Sequence, residues 1–394
     1  MKIAINGAGI AGPTLAWWLA EHGHEAVLVE HAPSLRSGGY IVDFWGLGYD
    51  IAEKMGLVSQ IRERGYQVGE VRFVDERGRK AGGFDTGVFG RMTKGRFTSV
   101  RRSDISAIVH DAIADRCETI FGDSIARIEE HGGGVRVGFE REAERDFDLV
   151  VGADGLHSRV RSLAFGEQAR FEKFLGYHVA AFEVAGYEPR DELVYVSHSA
   201  PGLQVSRFSM RDDRTLFLFV FHDEHFSGKP PRDDAERRAE LNRIFGGVGW
   251  ECPQILAAME QAGDIYFDRV SQIRTEQWTK GRVALAGDAA ACVSLLAGEG
   301  TGLAIAEAYV LAGELHRAGG DFPRAFGEYE RRLMPFVRRK QEGAAKFASS
   351  FAPRTATGIF IRNIATKLMR IPFVADRLIG NDLRDDIELP EYGE

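Results

Sequence analysis

The chain has 394 residues, enough for two domains or one large composite one. At 44% hydrophobic and 27% charged residues it has the composition of an ordinary globular protein, not a disordered or fibrous one. Its formal charge of −8 argues against nucleic acid as a partner, and its three cysteines lack the spacing of a zinc site or a disulfide framework. Cys117, Cys252 and Cys292 are therefore expected as reduced thiols in a cytoplasmic protein. The first strand-like run starts at residue 2, which leaves no room for a signal peptide, and no apolar run approaches the length of a transmembrane segment.

In Lys2 to Glu30, Ile3, Ala4 and Ile5 predict a short buried strand, and Gly7, Gly9 and Gly12 follow in G-x-G-x-x-G spacing. A helix is predicted to about His22, then a second buried strand, Ala26 to Val29, closed by Glu30. Such a unit holds a dinucleotide: one glycine permits the turn, one admits the pyrophosphate, and one lets the helix lie on the sheet. The helix N-terminus offers free N–H groups to phosphate, and Glu30 is placed to accept hydrogen bonds from a ribose.

Arg36, Gly38, Gly39 and Asp43 lie in a glycine-punctuated loop, either a long surface turn or a segment against a ligand, and a helix is expected from near Gly48. A helix with Ser103 as its N-cap follows Arg101 and Arg102, and Asp148 to Val151 reads as a buried strand running into a turn at Asp154 and Gly155. Residues 170 to 221 carry aromatic-rich strands that predict a largely antiparallel sheet, most of whose Phe residues are expected in a core. Arg207, Arg211 and Arg214 sit on or beside its turns, with Arg207 able to point inward. His222 and His225 lack H-E-x-x-H spacing and a third ligand, so no metal is expected. Val283 to Ala286 reads as another buried strand, Gly287 and Asp288 turn out of it, and Gly298, Gly300 and Gly302 lead into an apolar helix through Leu315. A long helix marked by Phe322 to Val337 is expected to be interrupted at Pro335. The tail from Lys346 to Asp386 reads as a lid helix, a dimer surface or a membrane-surface helix, with cover over the protein itself the first choice.

GAGIAG near the start, DLVVGADGLHSRVR in the middle and GRVALAGDAA late resemble, in this order, the single-component flavoprotein aromatic hydroxylases of the p-hydroxybenzoate hydroxylase type. LRSGGYIVDFWGLGYDIAEKMGL and the WTKGR lead-in look most like the tetracycline-inactivating monooxygenases within that group. The resemblance implies an α/β fold: a Rossmann-like FAD-binding domain (1–70, 96–168 and 270–320), an inserted, mostly antiparallel β substrate domain (71–95 and 169–269) and C-terminal helices (321–394) covering the active site. It implies that Gly7, Gly9, Ala11 and Gly12 hold the FAD pyrophosphate, Glu30 the adenosine ribose, Arg102 the ribityl and phosphate region, and Gly287 and Asp288 the ribityl chain. Asp154 and Gly155 match the Asp-Gly motif, which serves FAD and the passing nicotinamide nucleotide; Arg36 and Asp43 match positions beside the flavin and in that nucleotide's approach. Gly300, Thr301 and Gly302, opening an apolar helix, fit the helix N-terminus that faces the negative charge of reduced flavin. The chain departs from the family pattern at Ala291, where His is frequent, and at Leu295, where proline is usual.

The implied reaction uses NADPH or NADH and O2, and hydroxylates an aromatic substrate through a flavin C4a-hydroperoxide in a dry cavity, with FAD bound non-covalently and no side chain as acid or base. The aromatic sheet is expected to wall that cavity. A single-ring acid would want a fixed cation deep in the wall, so a polycyclic or polyketide-like phenol, a tetracycline-type scaffold among them, is the expected substrate. The alternatives are a flavin-dependent reductase of the prenyl-reductase type and a non-catalytic nucleotide-binding module. The chain is expected as a monomer or homodimer.

Overall fold

The computed structural model describes residues 1–35, 40–369 and 385–393. Lys2–Asn6 is the organising strand of a six-stranded sheet, flanked in parallel by Glu25–Glu30 and Leu149–Gly152. Val283–Leu285 continues the sheet on one side and Glu118–Phe121 on the other, both parallel, and only the short edge strand Thr279–Lys280 runs antiparallel. Strands covered on both faces need unbroken apolar runs, and Ile3, Ala4 and Ile5 as well as Leu149, Val150 and Val151 are wholly buried. The helices Ala11–Glu21 and Gly300–Ala318 pack against each other beside this sheet.

A second sheet has seven strands in the order Tyr266–Ile273, Glu172–Ala185, Arg214–His222, Leu203–Ser209, Val194–Ala200, Glu70–Val74 and Lys80–Asp85. All its pairs are antiparallel except Val194–Ala200 with Glu70–Val74. Period-two alternation gives it two different faces. Phe182, Phe217, Phe219 and Phe221 point to one side, where the helices Asp234–Phe245 and Cys252–Met259 seal them into a core with Leu241, Phe245 and Ile255. The other side carries Ala181, Phe208 and Leu216, packed with Tyr66, Ile41, Tyr195 and Tyr266. These four phenylalanines are therefore structural, and only the opposite face is left to offer the wall expected of this sheet. Phe219→Leu should cost about 1 kcal/mol of stability and leave cofactor affinity unchanged, a combination that denaturant titration and a binding titration check together.

Arg207 lies on the helix side of the sheet, buried, with its guanidinium on Glu251 at 2.7 Å and Asp191 at 2.6 Å. Arg211 donates to the carbonyls of Arg64 and Gly65, and Arg214 pairs with Glu183. Arg207 is thus spoken for on the helix side, while Arg211 and Arg214 are engaged at the turn end of the sheet, Arg214 on the inner face with Glu183 as its counter-charge.

Two boundaries differ from expectation. The helix after the arginines is Arg102–Asp111, so Ser103 sits within its first turn; Arg101 occupies the cap position and ties itself to Asp104 at 2.9 Å. Phe322–Phe351 is one helix with Pro335 inside it. A proline there removes one backbone bond, whereas Leu333, Phe336 and Val337 all bury on one stripe across that point, and the packing wins. Ala356–Leu368 then lies across the edge strand Lys80–Asp85, stapled by Arg362, which donates to Ser199 Oγ at 3.1 Å and Gln204 Oε1 at 3.0 Å. Among the described residues no helix is long and apolar enough to cross a membrane, and no group of three or more His, Cys, Asp or Glu is arranged to hold a metal.

Candidate active site

The turn after Lys2–Asn6 is forced by backbone contacts. Gly7 has φ +110°, and a Cβ on it would overlap the Ala153 carbonyl. A Cβ on Gly12 would overlap the carbonyl of Gly7, so the following helix comes closer to the turn than any other residue permits. Gly9 differs: the one atom of the described residues within 4 Å of its Cβ position is Arg102 Nη2, at 3.6 Å. Two of these glycines serve the fold, and the third keeps open a cradle with a cation at its rim.

Glu30 holds the loop, with Oε2 accepting from Ala8 N and Oε1 from Ala32 N, both at 2.9 Å. Ser106 donates to the Gly9 carbonyl at 2.8 Å from the Arg102–Asp111 helix. It lies one turn past Arg102, and that spacing was the sign that both residues share a helix face. The Arg102 guanidinium makes no hydrogen bond or ion pair to another residue among those described. Burial works against its charge, but Tyr40 and Asp288 nearby outweigh that and hold it above its ordinary value.

Ala11 stands against the third motif: a Cβ on Gly287, at φ +63°, would come within 3.0 Å of Ala11 Cβ and 3.5 Å of Ala304 Cβ. The Gly287 N–H is held by Glu307 Oε2 at 2.6 Å, a buried carboxyl that burial pushes well above its usual range. Glu307 was overlooked, although a lone acid in the apolar run AIAEAY was a visible anomaly. Asp288 Oδ1 lies 3.7 Å from the Cβ position of Gly300, so the Gly-Asp turn and the start of the Gly300–Ala318 helix are neighbours. Gly302 in turn presses on Gly48, whose Cβ would come within 2.5 Å of Gly302 Cα. Thr301 is buried.

Asp43 shares a pocket with Trp45, Gly298, Gly302 and Leu303. It accepts from Ser99 Oγ at 2.5 Å, and burial raises its carboxyl while that bond lowers it, with burial prevailing. It nonetheless keeps accessible surface, as do Tyr40, Tyr195 and Tyr266, while burial pushes the Tyr40 and Tyr195 phenols up to about 12.

Asp154 turns the other way. Its carboxylate accepts from Asn6 Nδ2 at 2.8 Å, Ser158 Oγ at 2.5 Å and the Arg159 and Val160 amides at 2.7 and 3.2 Å. Those bonds hold the turn at Gly155, φ +79°, whose Cβ position meets no atom within 4 Å. Arg36 lies outside the described residues. The structure thus brings Gly9 beside Arg102, Gly12 against Gly7, Ala11 against Gly287 and Asp288 beside Gly300, and it places Asp43 and Gly302 in one pocket.

The family described as FAD binding domain matches residues 1–321. A flavin-dependent monooxygenase from an unknown prokaryotic organism is 36% identical over 352 residues, which cover 89% of this chain and 90% of that one. The chain belongs to the FAD-binding-domain family and is a FAD-dependent monooxygenase of the aromatic-hydroxylase type. An uncharacterized protein of Mycobacterium tuberculosis is 37% identical over 345 residues, covering 86% of the monooxygenase and 91% of that protein. The solved structure of tetracycline destructase Tet(51) matches it at a TM-score of 0.83 and 32% identity, over 99% of both chains. The residues fit FAD. The Gly9 cradle lacks a side chain to fill it, and the cation beside it has no hydrogen bond or ion pair among the described residues, which is the donor set a diphosphate needs.

Proposed function

We propose that this monooxygenase uses NADPH or NADH to insert one oxygen atom of O2 into a fused-ring phenolic or polyketide-like compound, a tetracycline-type scaffold being one candidate. The observation that carries the substrate class is the inner face of the seven-stranded sheet. Tyr195, Phe208, Leu216 and Tyr266 cluster there; Arg207 points to the other face, Arg211 is held by backbone carbonyls, and Arg214, at the strand end of this face, is paired with Glu183, so the face offers broad apolar contact and no unpaired sheet cation for a small carboxylate. The likeness to a tetracycline destructase along the whole chain supports the same reading.

FAD, when bound, supplies the two-electron reduction by nicotinamide nucleotide and the activation of O2. The chain's residues hold and shield it. In this reading the first sheet and its helices (1–70, 96–168 and 270–320) bind the cofactor, the second sheet (71–95 and 169–269) walls the substrate space, and the helices of 321–394 cover it. The Gly7–Gly12 loop amides and Arg102 would hold the diphosphate, Glu30 the ribose, and Asp288 would accept from ribityl hydroxyls. Gly300 to Gly302 open a helix whose N-terminus would favour the negative charge that the flavin gains on reduction. Tyr40, Tyr195, Phe208 and Tyr266 keep the space dry, which favours oxygen transfer over loss of peroxide.

The test is oxygen uptake and nicotinamide oxidation with a panel of fused-ring phenols and single-ring benzoates, using isotopically labelled dioxygen. The expected result is label in a fused-ring product, one atom per nicotinamide nucleotide oxidised. Nicotinamide oxidation without label in any product would favour the reductase alternative, and activity confined to benzoates would reject the substrate class.

A further inference from the structure

The last described stretch, 385–393, is laid along the Gly300–Ala318 helix and tied to it at both ends. Near the start of that helix, Asp385 Oδ2 accepts the Leu47 N–H at 2.8 Å, in the first turn of the Gly46–Lys54 helix. The same carboxylate pairs with Lys340 at 3.1 Å, and Lys340 pairs at 3.1 Å with Glu299, the cap residue of Gly300–Ala318. Midway, Tyr309 Oη donates to the Pro390 carbonyl at 2.9 Å, and Glu391 pairs with Lys54. At the far end Tyr392 lies on Gly313, where a Cβ would overlap its ring, and its hydroxyl donates to Glu314 Oε1 at 2.7 Å. Gly300 and Gly313 are about 20 Å apart along the helix axis at 1.5 Å per residue.

Asp385 lines the same pocket as Asp43, Gly298 and Gly302. Its seat is built for it: Gly46 has φ +62°, and a Cβ there would collide with Asp385 Oδ2. Both partners of the carboxylate, Leu47 N–H and Lys340, are supplied by the protein, so Asp385 sits as a wall of the pocket and not as a plug held by groups that a ligand needs. We infer that Asp385 is a positioning residue of the cofactor site, seated by the docked tail, and that tail docking and FAD retention therefore reinforce each other. The inference rests on assigning Asp43 and Gly300 to Gly302 to the flavin end of that site.

Coupling of this kind is reciprocal and commonly five- to 150-fold. In the full chain, Asp385→Ala and Tyr392→Ala should each weaken FAD binding about tenfold, read from quenching of flavin fluorescence on titrating apo-protein. Asp385→Asn, which keeps an acceptor for Leu47 N–H but loses the charge, should weaken it less. FAD should slow proteolysis of the tail in the unaltered protein, and the flavin midpoint potential should move positive in both Asp385 variants, since a carboxylate near the pyrimidine end opposes the reduced anion. A merely structural tail would lower the thermal midpoint of the variants and leave affinity and potential alone, which would overturn the inference. Tighter FAD binding in the variants would overturn it too, because Asp385 would then be a plug. Gly9→Val serves as the control: if it keeps FAD, the cofactor assignment itself fails, whereas loss in Gly9→Val with unchanged tail variants rejects the coupling alone.

Discussion

Gly9→Val should purify folded and colourless, with FAD affinity reduced at least about a thousandfold, or about 4 kcal/mol. Among the described residues the Cβ position of Gly9 meets only the end of the Arg102 side chain, at 3.6 Å, so the protein has room for the new side chain and the cofactor does not. The contrast with its neighbours sharpens the test. At Gly12 a Cβ would overlap the Gly7 carbonyl, and at Gly7 it would overlap Ala153 on a backbone at φ +110°. Gly12→Ala and Gly7→Ala are therefore expected to lose thermal stability in apo-protein, whereas apo Gly9→Val keeps it. Thermal midpoints without FAD and flavin content after purification separate the two classes. Equal flavin occupancy in Gly9→Val would remove the diphosphate from this loop.

The same distinction explains what could be read before the structure. Gly7, Gly12 and Gly287 were legible because each solves a local backbone problem that leaves its mark at fixed spacing from a buried strand. Arg102 and Asp288 were legible through the motifs around them, which the family resemblance completed. The side of the sheet that the phenylalanines face was not legible. Alternation along TLFLFVF puts Phe217, Phe219 and Phe221 on one face, and nothing within the strand says that the helix Asp234–Phe245 will cover that face. Arg207 illustrates the same limit, since its partners Asp191 and Glu251 come from a turn and a helix cap that only the fold assembles. Pro335 misled because a local breaker rule competes with burial of Leu333, Phe336 and Val337, and tertiary packing decided it. Asp385 reaches Leu47 across 338 positions of sequence, a separation that no pattern reading spans.

Arg102→Met should cost far more cofactor affinity than apo stability. The guanidinium is enclosed between Tyr40, Asp288 and the Gly9 loop, and its side chain forms no hydrogen bond or ion pair among the described residues. Asp288 and Tyr40 offset the burial of this cation, but no hydrogen bond or ion pair among the described residues depends on it, so a flexible apolar side chain of similar length should leave the apo thermal midpoint nearly unchanged. The holoenzyme loses a charge-assisted contact to the cofactor, a loss of about 2–3 kcal/mol and hence of about 30- to 150-fold in FAD affinity. Arg102→Lys should fall between, because an ammonium keeps the charge and gives up the planar fork that matches a phosphate. Calorimetry of the apo-proteins and FAD titration of the same samples provide both numbers. If Arg102→Met destabilises the apo-protein by more than about 2 kcal/mol, the arginine is a structural staple of the kind Arg207 forms, whose removal from a bonded pair carries such a cost. If stability holds and FAD binds as tightly as before, the cation does not face the cofactor, and the diphosphate must rest on the loop amides alone.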